Sequence, residues 1–176
     1  MCRHTGHIER FAKPAVRDVA CAYKLRGRTV LPWYNVSVPG RQIAGFEWRG
    51  AFTSTELNTL HAEAFGTRQY TDDEWDWRAL VDRHSLGWVV ARREGGLVGF
   101  VNVVWDGYAH AWLQDVMVAL EARGKGTGTR LVQVAAEGAR AGGCEWLHVD
   151  FDDDRLRHFY FGTCGFTPTS AGLIRL

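Results

Sequence analysis

The sequence predicts a mixed α/β domain in which antiparallel hairpins join a strand–loop–helix–strand unit. Two observations carry this. The stretches "GWVVARREGG" and "LVGFVNVVWDG" are apolar, and they meet at Glu94-Gly95-Gly96, a hairpin signal. The run "AHAWLQDVMVAL" then passes through a glycine loop into a pattern of helical period, and "CEWLHVDF" follows it. A passage of this kind predicts a right-handed crossover between parallel neighbours, so the sheet should be mixed.

The elements follow in order from residue 42. "QIAGFEW" reads as a short strand. Thr53 and Glu56 form a capping box, with Leu57, Leu60 and Ala64 behind it at helical spacing. Thr71 and Glu74 form a second box, which predicts another helix start. Trp77, Leu80, Val81 and His84 make the stripe of that helix. The hairpin comes next, and Asp106-Gly107 offers the following turn. "AHAWLQDVMVAL" is apolar at nearly every position, as a strand covered on both faces would be. A helix should run from about Gly126 to Arg140 and stop at Gly142-Gly143. "CEWLHVDF" reads as a buried strand and "DDDRLRHFYF" as a short helix opened by acids. "CGFTP" and "GLIRL" are expected to close the chain as strands.

The 176 residues suffice for one domain with a sizeable core, and 46% of them are apolar. Net charge is +1, which gives no argument for nucleic acid or a membrane surface. The charge is unevenly spread, with +6 over residues 1–41 and −5 over the remainder. Residues 1–41 also lack periodicity. They read as a basic extension, loop or disordered, ahead of a domain at 42–176. The four cysteines form no C-x-x-C pair, so reduced thiols in a cytoplasmic protein are expected. Cys2, His4, His7 and Cys21 fit no standard zinc spacing, and no metal is expected. No apolar run approaches the length of a membrane span.

The loop Arg123-Gly124-Lys125-Gly126-Thr127-Gly128-Thr129 is the most informative segment. A helix N-terminus leaves unpaired N–H groups and a partial positive charge. Glycines ahead of it let successive N–H groups turn toward one anion, and Arg123 and Lys125 add charge. A phosphate cradle is expected. Strict alternation of the glycines fits neither the nucleotide P-loop nor the dinucleotide fingerprint.

"DVMVALEARGKGTGTRLV" resembles the central motif of the GCN5-related N-acetyltransferase (GNAT) superfamily, an apolar strand followed by [Q/R]-x-x-G-x-[G/A]. The downstream Gly165-Phe166 and the element order extend the resemblance over residues 42–176. It implies a mostly antiparallel sheet with a central splayed parallel strand pair, flanked by helices. It also implies acetyl-CoA as cosubstrate, without a metal. The pyrophosphate would lie on Gly124 to Thr129, and the pantetheine arm along Val116, Met117 and Val118. An acetyltransferase acting on a primary amine of a small molecule or peptide follows, by direct attack on the thioester. A homodimer is compatible with the family.

Some relatives carry Glu-Asp where this chain has Gln114-Asp115, which leaves Asp115 as the candidate base beside His110 and His148. By alternation Asp115 shares a face with Leu113 and Met117. The family acid, a tyrosine four residues before Gly165, falls on Phe161. Tyr160 stands one position earlier, and a helix end one residue longer would carry it to the sulfur. These departures sustain a second reading, a non-catalytic acyl-CoA-binding sensor. The resemblance places acceptor selection in residues 53–85, where Trp75, Trp77 and four acids within 72–76 suit a cationic amine, while Trp77 on the apolar stripe suits the core.

Overall fold

The structure is a computed structural model that describes residues 45–176. The basic extension, the Cys2/His4/His7/Cys21 set and the first residues of the expected opening strand lie outside the described residues. The elements are β1 (Gly45–Trp48), α1 (Ser54–Phe65), α2 (Trp77–His84), β2 (Ser85–Arg93), β3 (Gly96–Trp105), β4 (His110–Val118), α3 (Thr127–Ala141), β5 (Trp146–Val149) and α4 (Arg155–Arg157). A π-helical stretch, His158–Thr163, continues α4. The five strands form one sheet in chain order. All pairs are antiparallel except β4 with β5, which is parallel as the crossover requires.

Local chemistry sets most boundaries. Thr53 Oγ1 accepts from Glu56 N at 3.1 Å, and Glu56 Oε2 accepts from Thr53 N at 2.8 Å. Gly66 ends α1 at φ 65°. Glu94 and Gly95 both take positive φ, 51° and 82°, the form that a tight hairpin demands.

Of the expected second capping box only one half forms, and it closes a turn that starts no helix. Glu74 Oε2 accepts from Thr71 N at 3.0 Å, yet α2 begins only behind Asp76, whose Oδ1 accepts from Ala79 N. Tertiary packing decides this. Asn58 on α1 donates to Trp75 O at 3.2 Å and accepts from Trp77 Nε1 at 2.9 Å. The backbone between the two tryptophans is thereby held off the helical path.

Helices cover both faces of the sheet. Phe100 of β3 meets Phe52 and Trp77 on the face of α1 and α2. Its neighbour Gly99 faces α3, where a β-carbon would lie 2.9 Å from Leu131 Cδ1. Trp77, Phe100, Leu57, Met117 and Leu131 are fully buried.

Three further expectations are corrected. Residues 164–176 form no strand, and Leu173 and Ile174 are exposed. Strand propensity measures fit to a half-buried sheet surface, and this segment has no such partner among the described residues. β4 is not covered on both faces throughout, since Gln114 is exposed. Nor does Asp115 share one face with Leu113 and Met117. Gln114 pairs with Asn102 and Met117 with Phe100, so β4 carries one residue more than β3 over that interval. This bulge reverses the alternation. Leu113, opposite Val103, and Met117, opposite Phe100, lie on opposite faces of the sheet.

Candidate functional site

The site grows from the bulge in β4. Asp115 sits there at φ 52°, a left-handed conformation that a short polar side chain tolerates best. The parallel ladder to β5 ends at Leu113 and Val149. From Gln114 to Val118 the edge of β4 facing β5 therefore has no strand partner. Val116 and Val118 are half-buried, whereas Met117 is buried against the core.

Beyond Val118 a 3₁₀ turn, Leu120–Ala122, leads into the glycine loop. Gly124 and Gly126 take φ 68° and 82°, and Gly126 opens α3 with no side-chain cap. The first backbone bond of the helix runs from Arg130 N to Gly126 O. Among the described residues, no protein acceptor takes the N–H groups of Gly124 through Thr129. Six consecutive donors are thus left for an anion at the end of a fifteen-residue helix. A coenzyme A pyrophosphate has the oxygen acceptors and charge that such a row can hold.

The side chains of the loop are used otherwise. Arg123 donates to Val118 O at 3.0 Å and to Ala64 O at 2.8 Å, tying the loop to β4 and to the end of α1. Thr127 Oγ1 donates to Ala122 O at 3.0 Å. Lys125 is exposed, and Thr129 is half-buried. Glu63 of α1 accepts from Leu120 N at 2.7 Å, a brace with no local signal in the sequence.

The π-helical stretch packs against this loop. Cys164 N donates to Phe159 O at 2.9 Å, a bond spanning five residues. A turn of this kind takes one residue more than an α-helical turn. The position five before Gly165 therefore lies near the azimuth that the position four before it has in an α-helix. Tyr160 holds that position. It is 5% exposed, with rings of Phe151, Phe159 and Phe166 around it. Burial, with Cys164 beside it, pushes its hydroxyl up to about 12.

Asp115 is half-buried, and burial raises its carboxyl above the usual range while His61 of α1 draws it down. His61 lies among Phe65, Tyr70, Trp75 and Trp77, with ring centroids 4.9–6.0 Å away. Trp77 is wholly buried, so it belongs to the core. On the same sheet face, Asn102 accepts from Ser85 Oγ at 2.6 Å, and its buried Nδ2 has no partner. His110 and His148 are brought together. His110 Nδ1 and His148 Nε2 are 2.8 Å apart, and both rings stack near Trp112.

Among the described residues, no three His, Cys, Asp or Glu side chains gather as a metal set. No helix there is long and apolar enough to cross a membrane.

A model of the acetyltransferase (GNAT) family matches residues 51–166. Streptothricin acetyltransferase A of Bacillus subtilis is 31% identical over 128 residues, 69% of this chain and 68% of that protein. The fold is similar to that of glucosamine-6-phosphate N-acetyltransferase from Arabidopsis thaliana, with a TM-score of 0.61 at 22% identity, over 75% of this chain and 98% of that one. It is also similar to the aminoglycoside N-acetyltransferase AAC(6')-Iy in complex with CoA, with a TM-score of 0.60 at 16% identity, over 80% of this chain and 98% of that one. With the strand order, the open edge of β4 and the glycine loop all in place, the chain belongs to the GNAT family of acetyltransferases.

Proposed function

We propose that this chain is an acetyl-CoA-dependent N-acetyltransferase whose acceptor is a primary amine of a small molecule or peptide. The observation that carries the reading is the row of six unpaired amides, Gly124 to Thr129, beside the unpartnered edge of β4. The amides would hold the pyrophosphate, with Lys125 adding charge and Arg123 bracing the loop. The edge at Val116, Met117 and Val118 would hold the pantetheine arm and offer an N–H to the thioester carbonyl. When bound, acetyl-CoA supplies an activated acyl group open to attack by a neutral amine.

Two side chains are assigned roles on this reading. Tyr160 is the proton donor to the leaving sulfur, because the wide helical turn moves it onto the azimuth of the family's tyrosine. Its raised pKa keeps the hydroxyl protonated, as a donor must be. Asp115 lies where β4 and β5 part, and its raised carboxyl suits a base better than an ordinary aspartate. We further propose that residues 1–41 are an extension outside the acetyltransferase domain.

The burial of Tyr160 favours a second reading, a non-catalytic acyl-CoA sensor. One pair of measurements separates them. Saturating acetyl-CoA should raise the thermal midpoint, by about 2.7 kcal/mol of stabilisation at a hundred times Kd. Thiol release should then follow on adding an amine from a panel of streptothricin, glucosamine 6-phosphate and an aminoglycoside. Stabilisation without thiol release for any amine supports the sensor. No stabilisation overturns both readings.

A further inference from the structure

We propose that His148 and His110 form a two-ring proton relay that takes the proton from the acceptor's ammonium group and delivers it to water. The inference rests on the acetyl transfer proposed above, and it makes His148, in place of Asp115, the first acceptor of the proton that an amine must lose before attack.

The geometry of the pair is the first support. The two nitrogens stand 2.8 Å apart, while the ring centroids are 5.1 Å apart with planes inclined by 24°. Two imidazoles meeting edge to edge, close to one plane, have this separation. The N–H of one ring then points along the lone pair of the other, as a strong hydrogen bond requires. Two ligands of one metal ion would instead aim their lone pairs at a common point. The arrangement is a proton bond and not half of a metal site.

Position is the second support. His110 lies on β4 and His148 on β5. His148 pairs with Trp112, and only Leu113 with Val149 follows before the ladder ends. Trp112 lies opposite Val104 of β3, so these rings stand on the sheet face that carries Asn102 and Phe100, away from α3. The rings of Trp112 and His148 stack 4.9 Å apart at 19°, which fixes the orientation of His148. Both imidazoles are half-buried, and Trp146 beside them is exposed. The pair therefore links the point where the strands part with the surface.

The step balances. At the outset His148 Nδ1 holds a lone pair, and His148 Nε2–H donates to His110 Nδ1. The ammonium R–NH₃⁺ gives its proton to His148 Nδ1. The Nε2 proton of His148 crosses to His110 Nδ1, and His110 Nε2 releases its own proton to water. The products are R–NH₂ and hydronium, and both rings end neutral. Exchange with water restores the starting tautomers. Asp106, in the turn before β4, is the charged group that the structure sets beside the exit. Its Oδ1 accepts from the backbone N–H of His110 at 3.2 Å.

The test uses His148→Gln, His110→Gln and the double variant in the full chain, with streptothricin as acceptor. Each single variant should lose about a hundredfold or more in kcat/KM at pH 7, the ordinary share of a general base. The loss should shrink about tenfold per pH unit as the amine's own free-base fraction rises. The double variant should be no worse than the worse single, because a broken chain is broken once. A loss equal at every pH, or multiplicative losses, overturns the relay, as does a wild-type profile in His148→Gln. Long-range ¹⁵N imidazole spectra of the unliganded protein provide an arm independent of turnover. They should show one donor and one acceptor nitrogen in the shared bond, with the His148 tautomer altered by His110→Gln. Two independent imidazoles there overturn the relay. Absence of acetyl-CoA stabilisation in the wild type would instead overturn the proposed function, and the spectra judge the pair either way.

Discussion

The ring of Phe159 lies against the backbone of Gly128, so that a β-carbon at Gly128 would stand 3.2 Å from Phe159 Cζ and 3.8 Å from Val118 Cγ2. Three parts of the candidate site meet here, the first turn of α3, the end of β4 and the π-helical stretch. Gly128→Val should push the ring aside and place methyl groups over the amides. The expected result is a lowered thermal midpoint and loss of the acetyl-CoA shift. Adding Phe159→Ala should recover part of the midpoint. Wild-type acetyl-CoA stabilisation in Gly128→Val would move the pyrophosphate elsewhere.

Asp115 combines a left-handed backbone with a carboxyl pushed up by burial. Its folded pKa lies above its unfolded value, so the favourable state is the protonated one, and stability falls as pH rises through the folded pKa. Asp115→Asn keeps the tolerated backbone and removes the buried charge. Its thermal midpoint should exceed that of the wild type by a few degrees at pH 7, the size of about 1 kcal/mol in a domain of this length. The gain should fade toward acid pH, where the wild-type carboxyl is protonated. Calorimetry across pH checks this, and a loss of stability at neutral pH would count against it.

Glu56 has the opposite sign. Its hydrogen bond to Arg92, at 2.8 Å, holds the carboxyl down to about 2 from an ordinary 4.5, with Thr53 N assisting. A depressed carboxyl contributes stability above its unfolded pKa and loses it as pH falls toward the folded one. Stability should therefore fall between pH 4.5 and about 2. Glu56→Gln should flatten that acid limb in urea titrations. The pair is partly exposed, so the effect at neutral pH should be modest and should weaken in salt.

Residues 1–41 carry +6 of charge and precede the family match, which starts at residue 51. A chain starting at Gln42 is expected to fold with an unchanged thermal midpoint and an unchanged acetyl-CoA shift. Failure of that chain to fold would assign the extension to the domain.

The parts of the fold set by local chemistry were legible. The Thr53–Glu56 box, the Glu94-Gly95 turn and the Gly126 start of α3 each follow from a few adjacent residues. The false helix start at Thr71 shows the limit. Only half of the box formed there, with Glu74 accepting from Thr71 N while its own N–H went to Thr71 O, and Asn58, at a distance in sequence, took the backbone of Trp75 and the indole of Trp77. The bulge at Asp115 was illegible because alternation assumes a constant step of two, and nothing in "LQDVMV" marks an extra residue. The meeting of His110 with His148 was equally hidden, since it depends on the register between parallel strands 38 residues apart. The closing segment failed in the other direction, because propensity was present without a neighbouring edge.

The wide turn at His158–Thr163 also bears on how such chains are compared. Counted by residues from Gly165, the position where the resemblance expects an acid holds Phe161; on the function proposed above, counting by turns gives Tyr160 instead. An added residue can be absorbed in the girth of a helix and not in its length, leaving both flanks in register. In this chain, therefore, a tyrosine that a residue count sets one place out of register is brought back toward it by the change of pitch.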